Sequence, residues 1–330
     1  VITAGVDLPD AALAAEVAAG LAQVEEGLRD AARADHEVLT QASAHLLEAG
    51  GKRLRPLLVL LAAQFGDPAD KRVIPAAVAV ELTHLATLYH DDVMDEADIR
   101  RDTPSANQRW NNTIAILTGD FLFARASSIL ADLGAEAIRI QAQTFSRLVT
   151  GQVTETVGPR PGEDPFDHYL SVITEKTGSL IATAGRFGAM FSGAPAGVAE
   201  KIMIICSNLG VAYQISDDVL DVASDRVQSG KTPGTDLREG VPTLPMLHAL
   251  AMAGPGDARL VELLSKGPLT DEAEVDDALR LLRAHPAMDR SMADVRDWVQ
   301  RARDEIAGLP DVPARGAFEA FCDFIIERAG

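Results

Sequence analysis

Six aspartates fall into two copies of one pattern. Asp91-Asp92-Val93-Met94-Asp95 begins 126 residues (217 − 91) before Asp217-Asp218-Val219-Leu220-Asp221, and both lie in apolar stretches. On a helix, residues four apart share a face, so Asp91 pairs with Asp95 and Asp217 with Asp221. Like charges at that spacing repel, and the arrangement invites a compensating cation. Oxygen-only carboxylate sites suit Mg²⁺, which makes Asp91, Asp92, Asp95, Asp217, Asp218 and Asp221 the candidate metal ligands. The bland reading of one such cluster is a solvated acidic helix end. A second copy, set among Ile215, Val219, Leu220 and Val222, weighs against it, because buried carboxylates are costly unless paired or metal-bound.

Cations stand close by. Arg100 and Arg101 follow the first cluster, and the planar fork of Arg matches phosphate oxygens in pairs. Gly50-Gly51-Lys52-Arg53-Leu54-Arg55-Pro56 joins two helical stretches, with glycines that permit close backbone approach. Lys176-Thr177-Gly178 falls between two more, and Lys231 lies in a Gly/Pro-rich loop. Each alone reads as an ordinary surface loop. Together with two metal clusters they imply a site for more than one phosphate group. His84 sits seven residues before Asp91, two turns down the same face, and is expected to touch ligand. His90 is read equally well as a hydrogen-bond partner behind the metal ligands.

These residues need helices to position them. Hydrophobic residues make up 47% of the 330 and aromatic ones 5%. Ala and Leu dominate, and period-2 runs are scarce, which favours an all-α protein. Helical patterning predicts about a dozen helices in one domain spanning residues 1–330, around a central cavity. One helix over 71–98 carries the first cluster, and one over 197–224 the second. The net charge of −19 argues against nucleic acid and against an anionic membrane surface as partners. Cys206 and Cys322 are the only cysteines, so no disulfide framework is implied and a reducing cytoplasm is expected. No charge-free apolar run approaches 18 residues, so no transmembrane helix is expected. The start lacks the pattern of a signal peptide, and Val1 in place of Met points to trimming.

The motifs resemble those of trans-type (head-to-tail) isoprenyl diphosphate synthases, most closely the bacterial long-chain polyprenyl enzymes. The resemblance rests on Gly50–Pro56, Glu81–Arg101, Gly119-Asp120-Phe121-Leu122, Gly151-Gln152, Lys176-Thr177-Gly178, Tyr213–Asp221 and Gly230–Pro245, in that order. It implies a homodimer of all-α subunits, each with a deep cleft. It implies that the aspartate clusters hold Mg²⁺ on the diphosphate of an allylic substrate, which Arg100, Lys176, Thr177, Gln214 and Lys231 also contact. Lys52, Arg55, His84 and Arg101 would bind isopentenyl diphosphate. The allylic diphosphate would leave, the isopentenyl double bond would attack the resulting carbocation, and a proton would be lost to the departing diphosphate. Thr177 and Gln214 would offer oxygen dipoles to the cation. One position departs from the pattern: Asp102 stands where the family usually has Gly. Its carboxylate either weakens diphosphate binding or caps the turn at Thr103-Pro104, and the cap is favoured.

Product length is hinted at by the same helix. Thr87, Ala86 and Thr83, below Asp91, are small. The family's short-product enzymes carry a bulky aromatic there, and the two-residue insertion of bacterial farnesyl-type enzymes is also absent. A product beyond C20 is therefore expected, with a short-chain (farnesyl or geranylgeranyl) synthase as the alternative. A class I terpene cyclase would usually replace the second DDxxD and lack the Gly-Gly-Lys motif. A non-catalytic partner subunit would be expected to have eroded aspartates.

Overall fold

The computed structural model of the chain describes residues 2–3, 5–224 and 233–329. It is all-α, as the composition implied, apart from two hairpins of two-residue strands. In chain order the elements are β1 (Ile2–Thr3), β2 (Val6–Asp7), α1 (Ala11–Ala31), α2 (Glu37–Glu48), α3 (Leu54–Ala63), α4 (Val73–Met94), β3 (Ile99–Arg100) and β4 (Thr103–Pro104). Then come α5 (Ala106–Arg109), α6 (Asn112–Leu133), α7 (Ala135–Val157), α8 (Pro165–Ile173), one π-helical turn (Thr174–Gly178), α9 (Ser179–Phe191) and α10 (Ala196–Ala223). The remainder is α11 (Thr235–Glu239), α12 (Leu244–Ala251), α13 (Ala258–Leu264), α14 (Glu272–Arg283), α15 (Ala287–Ile306) and α16 (Pro313–Glu327).

By contacts the chain divides into two compact units. The first comprises Val1–Ser146, Leu180–Cys206 and Glu305–Phe321; the second comprises Arg147–Ser179, Ser207–Asp304 and Cys322–Gly330.

The first unit is built on α4, which packs against α1, α3 and α6. Val73, Ala76, Ala77, Val78, Ala79, Val80, Leu82, Leu85 and Ala86 are all buried, so the helix is apolar on every side, as a central helix must be. Tyr89 pins it: its hydroxyl donates to Ala42 O and accepts from Leu46 N, both on α2. Asp10 and Asn111 cap α1 and α6 by accepting from Leu13 N and Ile114 N.

The second unit has its own core. Val275, Ala278, Leu279 and Leu282 of α14 recur at helical spacing and pack with Leu237, Met246, Leu260 and Leu263.

Three local features differ from the periodicity. The helix expected over 71–98 stops at Met94, with Asp95 as its C-cap and Glu96 at φ 50°. The chain then turns back through β3 and β4 instead of continuing as helix. The short helix α11 and the π turn have no apolar period long enough to announce them. Two helices, Asn112–Leu133 and Ala196–Ala223, are long and apolar enough by length and composition to cross a membrane. Asp120 and Arg125 interrupt the first, and Glu200, Lys201 and the second aspartate cluster interrupt the second.

Candidate active site

In the first unit, Asp91 and Asp95 lie one turn apart at the end of α4, with Asp95 N donating to Asp91 O at 2.8 Å. Asp92 points elsewhere. It is fully buried, and its Oδ1 accepts from Arg100 Nε at 2.6 Å. Burial pushes the Asp92 carboxyl up, and Arg100 opposes that shift. Its Oδ2 is buried with no hydrogen-bond partner among the described residues.

The hairpin exists to return Arg100 and Arg101 toward the helix end. Ile99 pairs with Pro104 and Arg100 with Thr103, which leaves Arg101 and Asp102 as the two loop residues. Both have positive φ, 54° and 59°, the signature of the tight turn that suits a right-twisted hairpin. A glycine would adopt this turn without strain, which accounts for the Gly that the resemblance leads one to expect at 102. Asp102 is exposed. It serves as a turn residue rather than as the expected cap, and Asp tolerates the left-handed region better than most side chains. Asp102→Gly is therefore expected to change stability by no more than about 1 kcal/mol, with a small gain. A thermal melt showing a clear loss would contradict this account of the turn.

Arg101 reaches back to the Gly-Gly-Lys loop, where its Nη1 donates to Leu46 O at 2.8 Å and to Gly50 O. Gly51, at φ 141°, sits between guanidinium groups. A Cβ there would lie 2.9 Å from both Arg101 Cζ and Arg53 Nη1. Arg53 itself is buried, with a left-handed backbone at φ 50°. It donates to both carboxylate oxygens of Glu25, to Glu81 Oε1 at 3.3 Å and to Leu47 O at 3.0 Å. The loop bearing Lys52 and Arg55 is thus clamped to α1 and α4 by an ion-paired arginine. A cavity of about 420 Å³ opens beside it, bounded by Arg29, Gly50, Gly51 and Arg53 among others.

His84 lies on α4 within this field. Burial depresses its pKa well below the ordinary value, and Arg55, Arg101, Arg100 and Arg53 push it further down. The ring is therefore neutral, among guanidinium groups of which Arg53 and Arg100 are already paired with carboxylates. His90 has a structural role: its Nε2 lies 3.2 Å from Ile116 O and 3.4 Å from Asp120 Oδ1 on α6. Gly119 makes room for that ring, since a Cβ there would fall 2.3 Å from Nε2. Ala86 and Thr83 are buried, and Thr87 is partly exposed. The Thr83 hydroxyl donates to Ala79 O and accepts from Gln141 Nε2 at 2.6 Å.

In the second unit, α10 presents the second cluster. Asp217 Oδ1 accepts from Arg328 Nη2 at 2.5 Å, and the same guanidinium stacks over the Tyr213 ring at 4.2 Å. Asp218 is buried and accepts from the Tyr169 hydroxyl at 2.5 Å and Gln214 Nε2 at 2.9 Å. Burial pushes its carboxyl up to about 7 against those two hydrogen bonds. Gln214 Oε1 in turn accepts from Thr177 Oγ1 at 2.9 Å. Thr177 and Lys176 lie in the π turn, a distortion often found at functional sites. Gly151 lets α7 approach that turn, because a Cβ there would be 2.8 Å from Lys176 N. Lys176 Nζ pairs with Glu155 at 2.6 Å. Asp221 accepts from the backbone N–H groups of Thr235 and Asp236, at 3.1 and 3.2 Å, where α11 begins. Lys231 lies outside the described residues.

The first unit therefore brings Asp91, Asp92 and Asp95 together with the Arg100–Arg101 hairpin, and Arg101 with the Gly-Gly-Lys loop. The second brings Thr177, Gln214 and Asp218 into one hydrogen-bonded chain. Sequence reading missed Arg53, Glu25, Tyr169 and Arg328. Arg53 lay inside a recognised motif and was open to discovery there. Glu25 and Arg328 carried no local signal.

Comparison with known proteins adds the following. The family model for polyprenyl synthetase matches residues 36–282. Nonaprenyl diphosphate synthase of Mycobacterium tuberculosis is 52% identical over 330 residues, covering 100% of this chain and 98% of its own. The crystal structure of geranylgeranyl pyrophosphate synthase from Corynebacterium glutamicum, complexed with calcium and isoprenyl diphosphate, is 43% identical. It superposes with a TM-score of 0.86 over 98% of this chain and 100% of that one. A decaprenyl diphosphate synthase from Rhodobacter capsulatus is 33% identical, with a TM-score of 0.87 over 96% and 98% of the two chains.

Proposed function

The chain belongs to the polyprenyl synthetase family, and we propose that it condenses isopentenyl diphosphate with an allylic diphosphate, using Mg²⁺, to give an all-trans product longer than C20. One observation carries the reading. In the first unit a carboxylate pair one turn apart adjoins a hairpin whose Arg100 pairs with Asp92 and whose Arg101 reaches the Gly-Gly-Lys loop. That is an arrangement for diphosphates with their metal ions.

The donor set fits Mg²⁺. All candidate ligands are carboxylate oxygens, and Asp91, Asp95, Asp217 and Asp221 keep accessible surface toward an ion. No group of three or more His, Cys, Asp or Glu among the described residues encloses a metal by itself. Mg²⁺ is commonly held by one or two carboxylates plus substrate phosphate. Asp91, Asp95, Asp217 and Asp221 would hold the ions. When bound, Mg²⁺ would neutralise the diphosphate and favour its departure.

The protein's own groups do the rest. Arg100, Lys176 and Lys231 would hold the allylic diphosphate, and Lys52, Arg55, His84 and Arg101 that of isopentenyl diphosphate. Neutral His84 can hydrogen-bond that anion without adding charge. The Thr177 hydroxyl and Gln214 carbonyl present fixed oxygen dipoles where positive charge develops on the substrate. The small residues Thr83, Ala86 and Thr87 would flank the growing chain. The relative named for a nonaprenyl product supports the long product, and the one named for geranylgeranyl supports the short alternative.

A homodimer acting in the cytoplasm as one catalytic domain per chain completes the reading. Ile116 and Leu117 on α6 are exposed apolar side chains, of the kind that a second copy would cover. Sedimentation of a Leu117→Lys variant as a monomer is the expected result.

Two experiments test the chemistry. Incorporation of labelled isopentenyl diphosphate is expected to stop on chelation with EDTA and return with added Mg²⁺; incorporation indifferent to chelation contradicts the metal role. Gly51→Ala is expected to raise the KM for isopentenyl diphosphate about tenfold, because the new Cβ displaces Arg101 and Arg53. An unchanged KM in steady-state assays would remove the Gly-Gly-Lys loop from that substrate's site.

A further inference from the structure

The two aspartate patterns share a division of labour that follows from helix geometry. Residues i and i+4 share a face, while residue i+1 is turned roughly 100° away. In both copies that middle residue goes inward. Asp92 is 0% exposed and Asp218 5%, whereas Asp91, Asp95, Asp217 and Asp221 all retain accessible surface.

Each middle carboxylate grips a polar side chain. Asp92 accepts from Arg100 through Nε at 2.6 Å, a bond that does not require the forked Nη end. Asp218 accepts from Gln214 Nε2 at 2.9 Å and from the Tyr169 hydroxyl at 2.5 Å. The Gln214 amide nitrogen donates to Asp218, and this bond fixes which way the amide points. The Gln214 oxygen is thereby turned to the Thr177 hydroxyl, which donates to it at 2.9 Å. With its proton so directed, the lone pairs of Thr177 Oγ1 are left for an electron-poor centre.

We infer that Asp92 and Asp218 are positioning residues: Asp92 aims Arg100, and Asp218, held by Tyr169, aims Gln214 and through it Thr177. The inference rests on the reading of Arg100, Gln214 and Thr177 as substrate contacts. It removes the two middle aspartates from the set of essential metal ligands.

The test separates metal binding from positioning. Mn²⁺ uptake is followed by electron paramagnetic resonance in the presence of inorganic pyrophosphate. Asp92→Asn and Asp218→Asn are expected to bind as many Mn²⁺ ions as the parent, while Asp91→Asn loses at least one. In steady-state assays Asp92→Asn is expected to lower kcat/KM for the allylic substrate about 30-fold. That effect should shrink below about threefold in an Arg100→Met background, as coupling requires. Tyr169→Phe, the milder probe of the second hydrogen-bonded chain, is expected to lower kcat about tenfold with the allylic KM nearly unchanged, and to do little in a Gln214→Leu background. Loss of a Mn²⁺ ion from Asp92→Asn or Asp218→Asn, or additive effects in either double-mutant cycle, overturns the inference. If Asp91→Asn keeps every ion, the metal reading of Asp91 fails instead, and the cycles still decide the positioning roles.

Discussion

Asp91→Ala is expected to lower turnover by about 1,000-fold at saturating Mg²⁺, and Asp217→Ala by a similar factor. The allylic diphosphate can leave only if its charge is neutralised as the bond breaks. Arg100 would hold that charge, and metal held at Asp91 and Asp95 would neutralise it on the departing diphosphate. The two variants should differ in stability, which guards against misreading a folding defect as a catalytic one. Asp217 carries the Arg328 ion pair, and its removal strands a mostly buried guanidinium at a cost of about 1–3 kcal/mol. Asp217→Ala should therefore melt at a lower temperature than the parent. Near-normal turnover in either variant, measured by incorporation of labelled isopentenyl diphosphate, would contradict the two-cluster account.

Ala86→Tyr is expected to shorten the product by several isoprene units. Ala86 lies on α4 five residues before Asp91 and is fully buried, so a phenol there must displace either neighbouring side chains or the growing chain. Overpacking of this kind costs about 1–3 kcal/mol, and a melting curve will show whether the fold survives. Chromatography of the labelled prenyl alcohols reads the outcome. An unchanged chain length in a folded variant would take Ala86 out of the tunnel.

Much of this was legible in the residues, and what was not has physical reasons. Long amphipathic or wholly apolar helices announce themselves by period: the helix expected over 197–224 is Ala196–Ala223. The helix expected over 71–98 ran four residues too far because Asp95–Asp98 keep helical composition. What ends it is a left-handed Glu96 and a two-residue hairpin, and neither leaves a periodic trace. Arg101 and Asp102 both adopt positive φ without being glycine, and the preference of Asp for that region is too weak to mark the turn. The aspartates, Arg pair and Lys loop were identifiable because their chemistry is carried by residue type and spacing. Their partners were not: Glu25 lies 28 residues from Arg53, and Arg328 lies 111 residues from Asp217. A charged residue in a Gly-rich loop reads as solvated, yet Arg53 is 8% exposed. Only packing reveals that it holds the loop rather than faces water.

The most direct measurement is incubation of the purified chain with isopentenyl diphosphate, Mg²⁺ and each allylic primer in turn, followed by mass analysis of the prenyl alcohols released from the products. The account predicts a ladder of all-trans prenyl alcohols ending beyond C20. A product that stops at C15 or C20 would contradict the long-chain assignment, and no prenyl product from any primer would contradict the reaction itself.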